Sequence, residues 1–144
     1  MKNYLVFVLI IGLGGLLSCS KSDDGPSIRA SEYGKEKSHN AGMNCMQCHE
    51  SFTVSGTIYN GDFSSVYPNS TVYLLSEPDA DGDTLLTIEV DAKGNFYTDQ
   101  EFDFGSTVYT SIRGNDSTIY KPFPVANGAC NSCHGNTADP IWTR

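Results

Sequence analysis

The sequence has few basic residues and little of what hydrolytic or phosphate chemistry requires. Nine Lys and Arg residues stand against 17 Asp and Glu residues in 144, which gives a net charge of −8 with the histidines neutral. So acidic a chain is a poor partner for nucleic acid and suits a basic protein partner or a cationic ligand. We also find no nucleophile–base arrangement, no phosphate-binding glycine loop and no basic patch.

No apolar run is long enough for a comfortable transmembrane helix. The longest, residues 4–13, follows Lys2 and has the length of a secretory signal. It leads to Leu16-Leu17-Ser18-Cys19, which resembles the lipobox of bacterial lipoproteins. That resemblance implies cleavage before Cys19 and lipidation of this cysteine. It also implies a lipid anchor in the outer membrane, with the protein periplasmic or surface-exposed. An uncleaved anchor and an ordinary signal peptide are the alternatives.

The rest of the chain is long enough for one domain. We predict a signal peptide over residues 1–18, a flexible tether over 19–30 and a single domain over 31–144. The tether is polar and contains Gly and Pro, and it lacks apolar residues to bury. Loss of Lys2 with the signal leaves eight basic residues against 17 acidic ones, a net charge of −9.

The domain lacks a helical hydrophobic period and shows strand-like alternation instead. The alternating runs are separated by turn residues about ten positions apart, a pattern typical of an antiparallel β-sandwich. We therefore predict a mainly β, Ig-like or transthyretin-like sandwich. Its predicted strands cover residues 54–59, 71–75, 85–90, 95–98, 107–112 and 117–120.

Three of these segments carry a family resemblance. Val54-Ser55-Gly56-Thr57-Ile58-Tyr59, Pro68-Asn69-Ser70-Thr71-Val72-Tyr73-Leu74 and Asp91-Ala92-Lys93-Gly94-Asn95-Phe96-Tyr97 are similar to carboxypeptidase regulatory-like domains. The resemblance covers about residues 54–112. It implies a transthyretin-like sandwich of an exported protein and little about chemistry.

The clearest motif occurs twice, as Cys45-Met46-Gln47-Cys48-His49 and as Cys130-Asn131-Ser132-Cys133-His134. Both copies match C-x-x-C-H, the attachment sequence of c-type haem. The chain resembles c-type cytochromes in having this motif. The resemblance implies that the two cysteines of each copy form thioethers to a porphyrin and that the histidine binds its iron. We expect two haems c, attached at the four cysteines, with His49 and His134 as proximal ligands.

Zinc and disulfides are the alternatives for the four cysteines. Two C-x-x-C pairs are able to form a tetrahedral Cys₄ zinc site. In an oxidising exported compartment they are also able to form two disulfides. Neither alternative explains why a histidine follows each pair directly.

The distal ligands are less determined by sequence. His39 is the remaining histidine, and we expect it to be the distal ligand of one iron. Met43 is a candidate for the other iron. Met46 is a poorer candidate, because it lies between the two cysteines of its own haem. A ligand from a partner chain, or an open coordination position, remains as a further alternative.

The motifs flank the predicted sandwich, in segments 39–52 and 121–144 around residues 54–120. We expect segments 39–49 and 121–134 to lie outside the sheet as loops or short helices and to meet at one side of it. Burial of two haems against each other would remove apolar surface from water. The haem sites are therefore expected to be adjacent.

These features predict a dihaem cytochrome c that transfers electrons in the cell envelope. It would be held by its N-terminal lipid and would serve redox protein partners, not nucleic acid. An electron carrier is favoured over an enzyme. The alternatives are a non-redox surface module stapled by disulfides and a haem enzyme with an open distal site.

Overall fold

A computed structural model describes residues 27–144, so the predicted signal peptide, Cys19 and most of the tether lie outside the described residues. Eight short strands dominate it: β1 (Val54–Asn60), β2 (Thr71–Leu75), β3 (Thr84–Glu89), β4 (Asn95–Thr98), β5 (Tyr109–Arg113), β6 (Thr118–Tyr120), β7 (Gly128–Ala129) and β8 (Ile141–Thr143). Three 3₁₀ turns complete the regular structure, at Cys45–Gln47, Pro78–Ala80 and Cys130–Ser132.

The strands form two sheets that pack face to face. The first sheet is built around β1, which pairs antiparallel with β4 and parallel with the short strands β7 and β8. The second sheet has the order β3-β2-β5-β6, and all its neighbours are antiparallel. The prediction of a mainly β sandwich is therefore confirmed.

The alternating side chains of both sheets form the core. Successive residues of a strand point to opposite faces, so every second residue of each strand faces the partner sheet. Alternation predicts that Val72 and Leu74 of β2 and Leu86 and Ile88 of β3 face inward, and all four side chains are buried. The buried apolar cluster comprises Val54, Ile58, Val72, Leu74, Leu86, Ile88, Val90, Phe96, Val108 and Ile112.

Six strands follow the sequence prediction closely, and the last two depart from it. The prediction that segment 121–134 lies wholly outside the sheet is wrong, because Gly128 and Ala129 pair with Val54 and Ser55. Strands of two and three residues are too short to show alternation. They exist because β1 offers them a free edge.

The tether also ends earlier than its composition predicted. Ala30 forms a bridge with Thr98, and the guanidinium of Arg29 lies 2.8 Å from the carboxylate of Asp99. Residues 29 and 30 are thus attached to the edge of β4.

The second C-x-x-C-H motif occupies a gap in this arrangement. β7 pairs with the start of β1, and β8 pairs with its end, at Ile58 to Asn60. The ten residues between Ala129 and Pro140 leave the sheet opposite Gly56 and Thr57. The motif is therefore a loop between two short strands, β7 and β8, that both run parallel to β1.

Candidate functional site

The two C-x-x-C-H motifs adopt the same local backbone. Each begins with a 3₁₀ turn at its first cysteine. In both, the carbonyl of the first cysteine accepts hydrogen bonds from the N–H of the second cysteine and of the histidine. These bonds measure 3.1 and 2.9 Å in the first motif and 3.3 and 3.0 Å in the second. Residues three apart in such a turn lie on one side of it, so each pair of thiols shares a face.

Local hydrogen bonds hold each turn in place. The side chain of Asn44 caps the first turn and accepts from the N–H of Met46 at 3.3 Å. In the second motif the hydroxyl of Ser132 donates to the carbonyl of Ala129 at 2.6 Å. The side-chain oxygen of an Asn at a helix N-cap satisfies an N–H that has no partner in the turn.

The first motif lines a cavity of about 530 Å³ on the outer face of the first sheet. Cys45, Cys48 and His49 all contribute to its lining, and so does His39. Pockets for small molecules and cofactors measure about 300–1,000 Å³. The floor comes from Asn95 and Tyr97 of β4.

A row of rings starts at the paired histidines of this cavity. The ring centroids of His39 and His49 lie 5.6 Å apart, with the planes tilted by 52°. His49 stacks on Phe52 at 4.8 Å, and Phe52 stacks on Tyr97 at 4.9 Å. The stack on Phe52 constrains the plane of the His49 ring.

The second motif lines a different cavity, of about 610 Å³, that reaches between the two sheets. Cys130, Cys133 and His134 line it, together with core residues of both sheets such as Phe96 and Leu74. The Nδ1 atom of His134 lies 2.7 Å from the carbonyl oxygen of Asp139. A carbonyl only accepts, so Nδ1 carries the proton and donates, which leaves the lone pair of Nε2 free.

The two cavities lie on opposite faces of the first sheet. Asn95 and Tyr97 line the first cavity, whereas Phe96 between them lines the second. Because side chains alternate along a strand, these residues point to opposite faces of β4. The sheet therefore separates the two motifs' cavities.

The segments that carry the motifs nevertheless meet at β1. The buried side chain of Asn131 accepts from the N–H of Thr57 at 3.1 Å and donates to the carbonyl of Met43 at 3.1 Å. The same amide donates to the Thr57 hydroxyl at 2.9 Å, and this hydroxyl donates to the side chain of Asn95 at 2.7 Å. Asn131 thus fills the gap between β7 and β8 and joins the second motif to the segment before the first.

The four cysteines are free and partly buried or exposed. Burial raises the pKa of the Cys130 thiol to about 12, and the nearby Cys133 and Cys45 add to the effect. Burial likewise raises the pKa of Cys45, against a smaller opposing effect of the Ser55 hydroxyl. These surroundings favour the neutral thiol over the thiolate. A metal ion binds the thiolate, so burial of these cysteines disfavours metal binding.

The arrangement does not match the zinc alternative. Between residues 27 and 144, no three side chains of His, Cys, Asp or Glu converge on a point where a metal ion could bind. The thiols of the two motifs line separate cavities, so they do not form one tetrahedral Cys₄ cluster. None of these four thiols is paired in a disulfide.

The predicted ligand Met43 lies with the first motif. It is 61% exposed and lines the cavity of His49, not that of His134. Sequence analysis missed Asn131, Thr57 and Phe52. The spacing of C-x-x-C-H places no demand on the residues between the cysteines, so Asn131 gave no signal.

Comparison with protein-family models, with curated proteins and with solved structures found no match to this chain. Over residues 27–144 no helix is both long and apolar enough to cross a membrane.

Proposed function

We propose that this protein is a dihaem cytochrome c that carries electrons in the cell envelope. One observation carries the proposal: each complete set of two cysteines and a histidine lines a cavity of its own, of about 530 or 610 Å³. In both motifs the same backbone turn presents the two cysteines and the histidine to a cavity in the size range of cofactor pockets. Cys45 and Cys48 would hold one haem, and Cys130 and Cys133 the other.

The state of the thiols supports covalent haem over zinc. A thioether is neutral, so its formation at Cys130 or Cys45 leaves no buried charge. A thiolate at these two positions would have to overcome the burial that raises their pKa. The local environment therefore agrees with thioether chemistry.

The histidines support iron ligation. His134 donates from Nδ1 to a backbone carbonyl, so its Nε2 is the free ligand atom. His39 and His49 line the same cavity, and their ring centroids lie 5.6 Å apart, so both imidazoles are within reach of one iron. We assign His39 and His49 to the same iron.

Basic residues at the cavities suit the carboxylates of haem. Arg29 and Lys37 line the first cavity, and Lys121 lines the second. The chain has only nine basic residues, so their presence at these cavities is informative. Lys37 is thus the candidate partner of a propionate group in the first cavity, because Arg29 is paired with Asp99 and Lys121 donates to two backbone carbonyls.

Bound haem would supply one-electron redox chemistry. The chain's own part is to bind both groups around one sheet and to leave an edge of each cavity open. The contact of Asn131 with Met43 keeps the two haem segments together. A lipid on Cys19 would keep the carrier at the outer membrane, near basic redox partners attracted by its negative charge.

Intact mass and a visible spectrum test the proposal. The full chain would be exported in a host with cytochrome c maturation, beside the double variants C45A/C48A and C130A/C133A. We expect a mass gain of two haems in the parent chain and of one haem in each variant, with sharp reduced bands. A colourless parent protein, correctly exported and lighter by four protons, would show two disulfides and overturn the proposal.

A further inference from the structure

The two cavities differ in the ligands that they offer to an iron beyond the motif's own histidine. The first contains His39, whose ring centroid lies 5.6 Å from that of His49. The lining of the second contains His134 but no other His and no Met among residues 27–144. Met43 belongs to the first cavity, and Met46 lies inside the first motif.

The second cavity offers fewer ligand side chains to a haem iron than the first. Proteins ligate haem iron with His, Cys, Met or Tyr, and Tyr120 is the one such side chain in this lining outside the motif. Lys121 is held elsewhere, because its Nζ donates to the carbonyls of Phe123 at 3.0 Å and Pro124 at 3.5 Å. An ammonium group that donates in this way has no lone pair for a metal.

The rest of the second cavity is strongly apolar. Side chains of both sheets line it, among them Val54, Val72, Leu74, Phe96 and Ile112. Apolar cavities stay dry and accept small apolar molecules such as benzene and xenon. An uncharged diatomic molecule therefore loses little on entry, whereas an anion would be strongly disfavoured.

We propose that the chain supplies a sixth ligand to only one of its two haems. His39 closes the first, and the second keeps an open position where a small neutral diatomic molecule binds. This inference rests on the proposed attachment of haem at Cys130 and Cys133. Binding forms one bond, from the lone pair of the diatomic molecule to ferrous iron, and no electron is transferred in that step.

Carbon monoxide is the probe that tests the inference. The full holoprotein, shown by mass to carry two haems, is reduced with dithionite and titrated with carbon monoxide. We expect one equivalent per chain and a shift of about half of the Soret absorbance. The C45A/C48A variant, which keeps the second haem, is expected to bind one equivalent, and the C130A/C133A variant none.

Substitution at the two cavities separates the ligands. His39→Ala opens the first haem and is expected to raise the stoichiometry from one to two. Met43→Leu is the matched control in the same cavity and is expected to leave it at one. Tyr120→Phe and Lys121→Met are also expected to leave it at one.

Each result bears on a different claim. Two haems with no carbon monoxide bound, or with two equivalents bound in the parent chain, overturn this inference and leave the dihaem proposal intact. Gain of binding only in Tyr120→Phe or Lys121→Met would identify that residue as a sixth ligand and would also overturn it. A protein without haem overturns the proposed function and this inference with it.

Discussion

The thiol of Cys130 is kept neutral by its surroundings. It packs against the sandwich core, and burial raises its pKa to about 12. The neutral thiol is therefore the favoured form near neutral pH. Cys133, three residues later on the same turn, is exposed. A reagent in solution thus reaches Cys133 more easily than Cys130.

Alkylation of protein exported without haem maturation checks this difference. Thiolate is the nucleophile, and the raised pKa of Cys130 makes its thiolate scarce at pH 8, whereas Cys133 is exposed to the reagent. We expect iodoacetamide to label Cys133 much faster than Cys130, as measured by peptide mass spectrometry. Urea should remove the difference. Equal rates in the folded protein would contradict the buried position of Cys130.

Asn131 has a structural role that its place inside a cofactor motif conceals. Its amide satisfies the Thr57 N–H, the Thr57 hydroxyl and the Met43 carbonyl. All of these groups belong to other parts of the chain. A buried polar group that loses its partner costs about 1–3 kcal/mol.

Asn131→Ala is therefore expected to lower the free energy of unfolding by about 2–4 kcal/mol, because two backbone groups lose their partner. Denaturant titration measures the change. Asn136→Ala, at an exposed position of the same segment, is the control and should change it by less than about 0.5 kcal/mol. Similar values for both variants would show that the amide does not join the two segments.

Strand β1 carries both candidate haem segments, and Gly56 is its tightest point. A Cβ at this position would lie 2.5 Å from Cζ of Phe96 and 3.1 Å from Cβ of Cys130. Phe96 is in the buried core. A glycine here therefore lets the second motif and the core ring pack directly against the strand.

Gly56→Ala is expected to cost about 1–3 kcal/mol of stability through overpacking. It should also shift the spectrum of the haem at Cys130, measured in the C45A/C48A background. Gly61→Ala offers a matched control, because its Cβ would meet Trp142 at 3.5 Å, an ordinary contact. An unchanged spectrum and stability in Gly56→Ala would place the second motif farther from β1.

The charge of the complete molecule bears on its partners. The predicted mature chain carries −9 before any haem propionates are added. A field of this sign attracts positively charged proteins and raises their association rate, and salt screens it. The net charge affects the rate at which the protein meets a partner and carries no information about the fold.

Electron transfer to a small basic cytochrome c is expected to slow about tenfold between about 10 and 150 mM salt. Stopped-flow spectroscopy measures the rate. An acidic flavodoxin of similar size is the control, and its rate should rise with salt because repulsion is screened. The same salt dependence for both partners would exclude electrostatic steering.

Sequence patterns were reliable where local physics decides the outcome. The alternation of β2 and β3 identified their buried faces, since a half-buried strand requires period two. The C-x-x-C-H motifs identified the residues of the two 3₁₀ turns, since a spacing of three residues brings both thiols to one side of a turn. The strands β7 and β8 could not be found, because their pairing depends on a free edge of β1 and not on their own residues.

By itself the sequence determined the mainly β sandwich and the two candidate haem motifs. Each depends on interactions between neighbours in the chain, which a pattern records. The sequence also predicted that the two haem segments meet, but at one side of the sheet, and only the tertiary structure placed their cavities on opposite faces of it. The tertiary structure also brought His39 to His49 and left His134 without a second imidazole. These outcomes depend on how distant segments fill the space around a strand, and no local pattern encodes that.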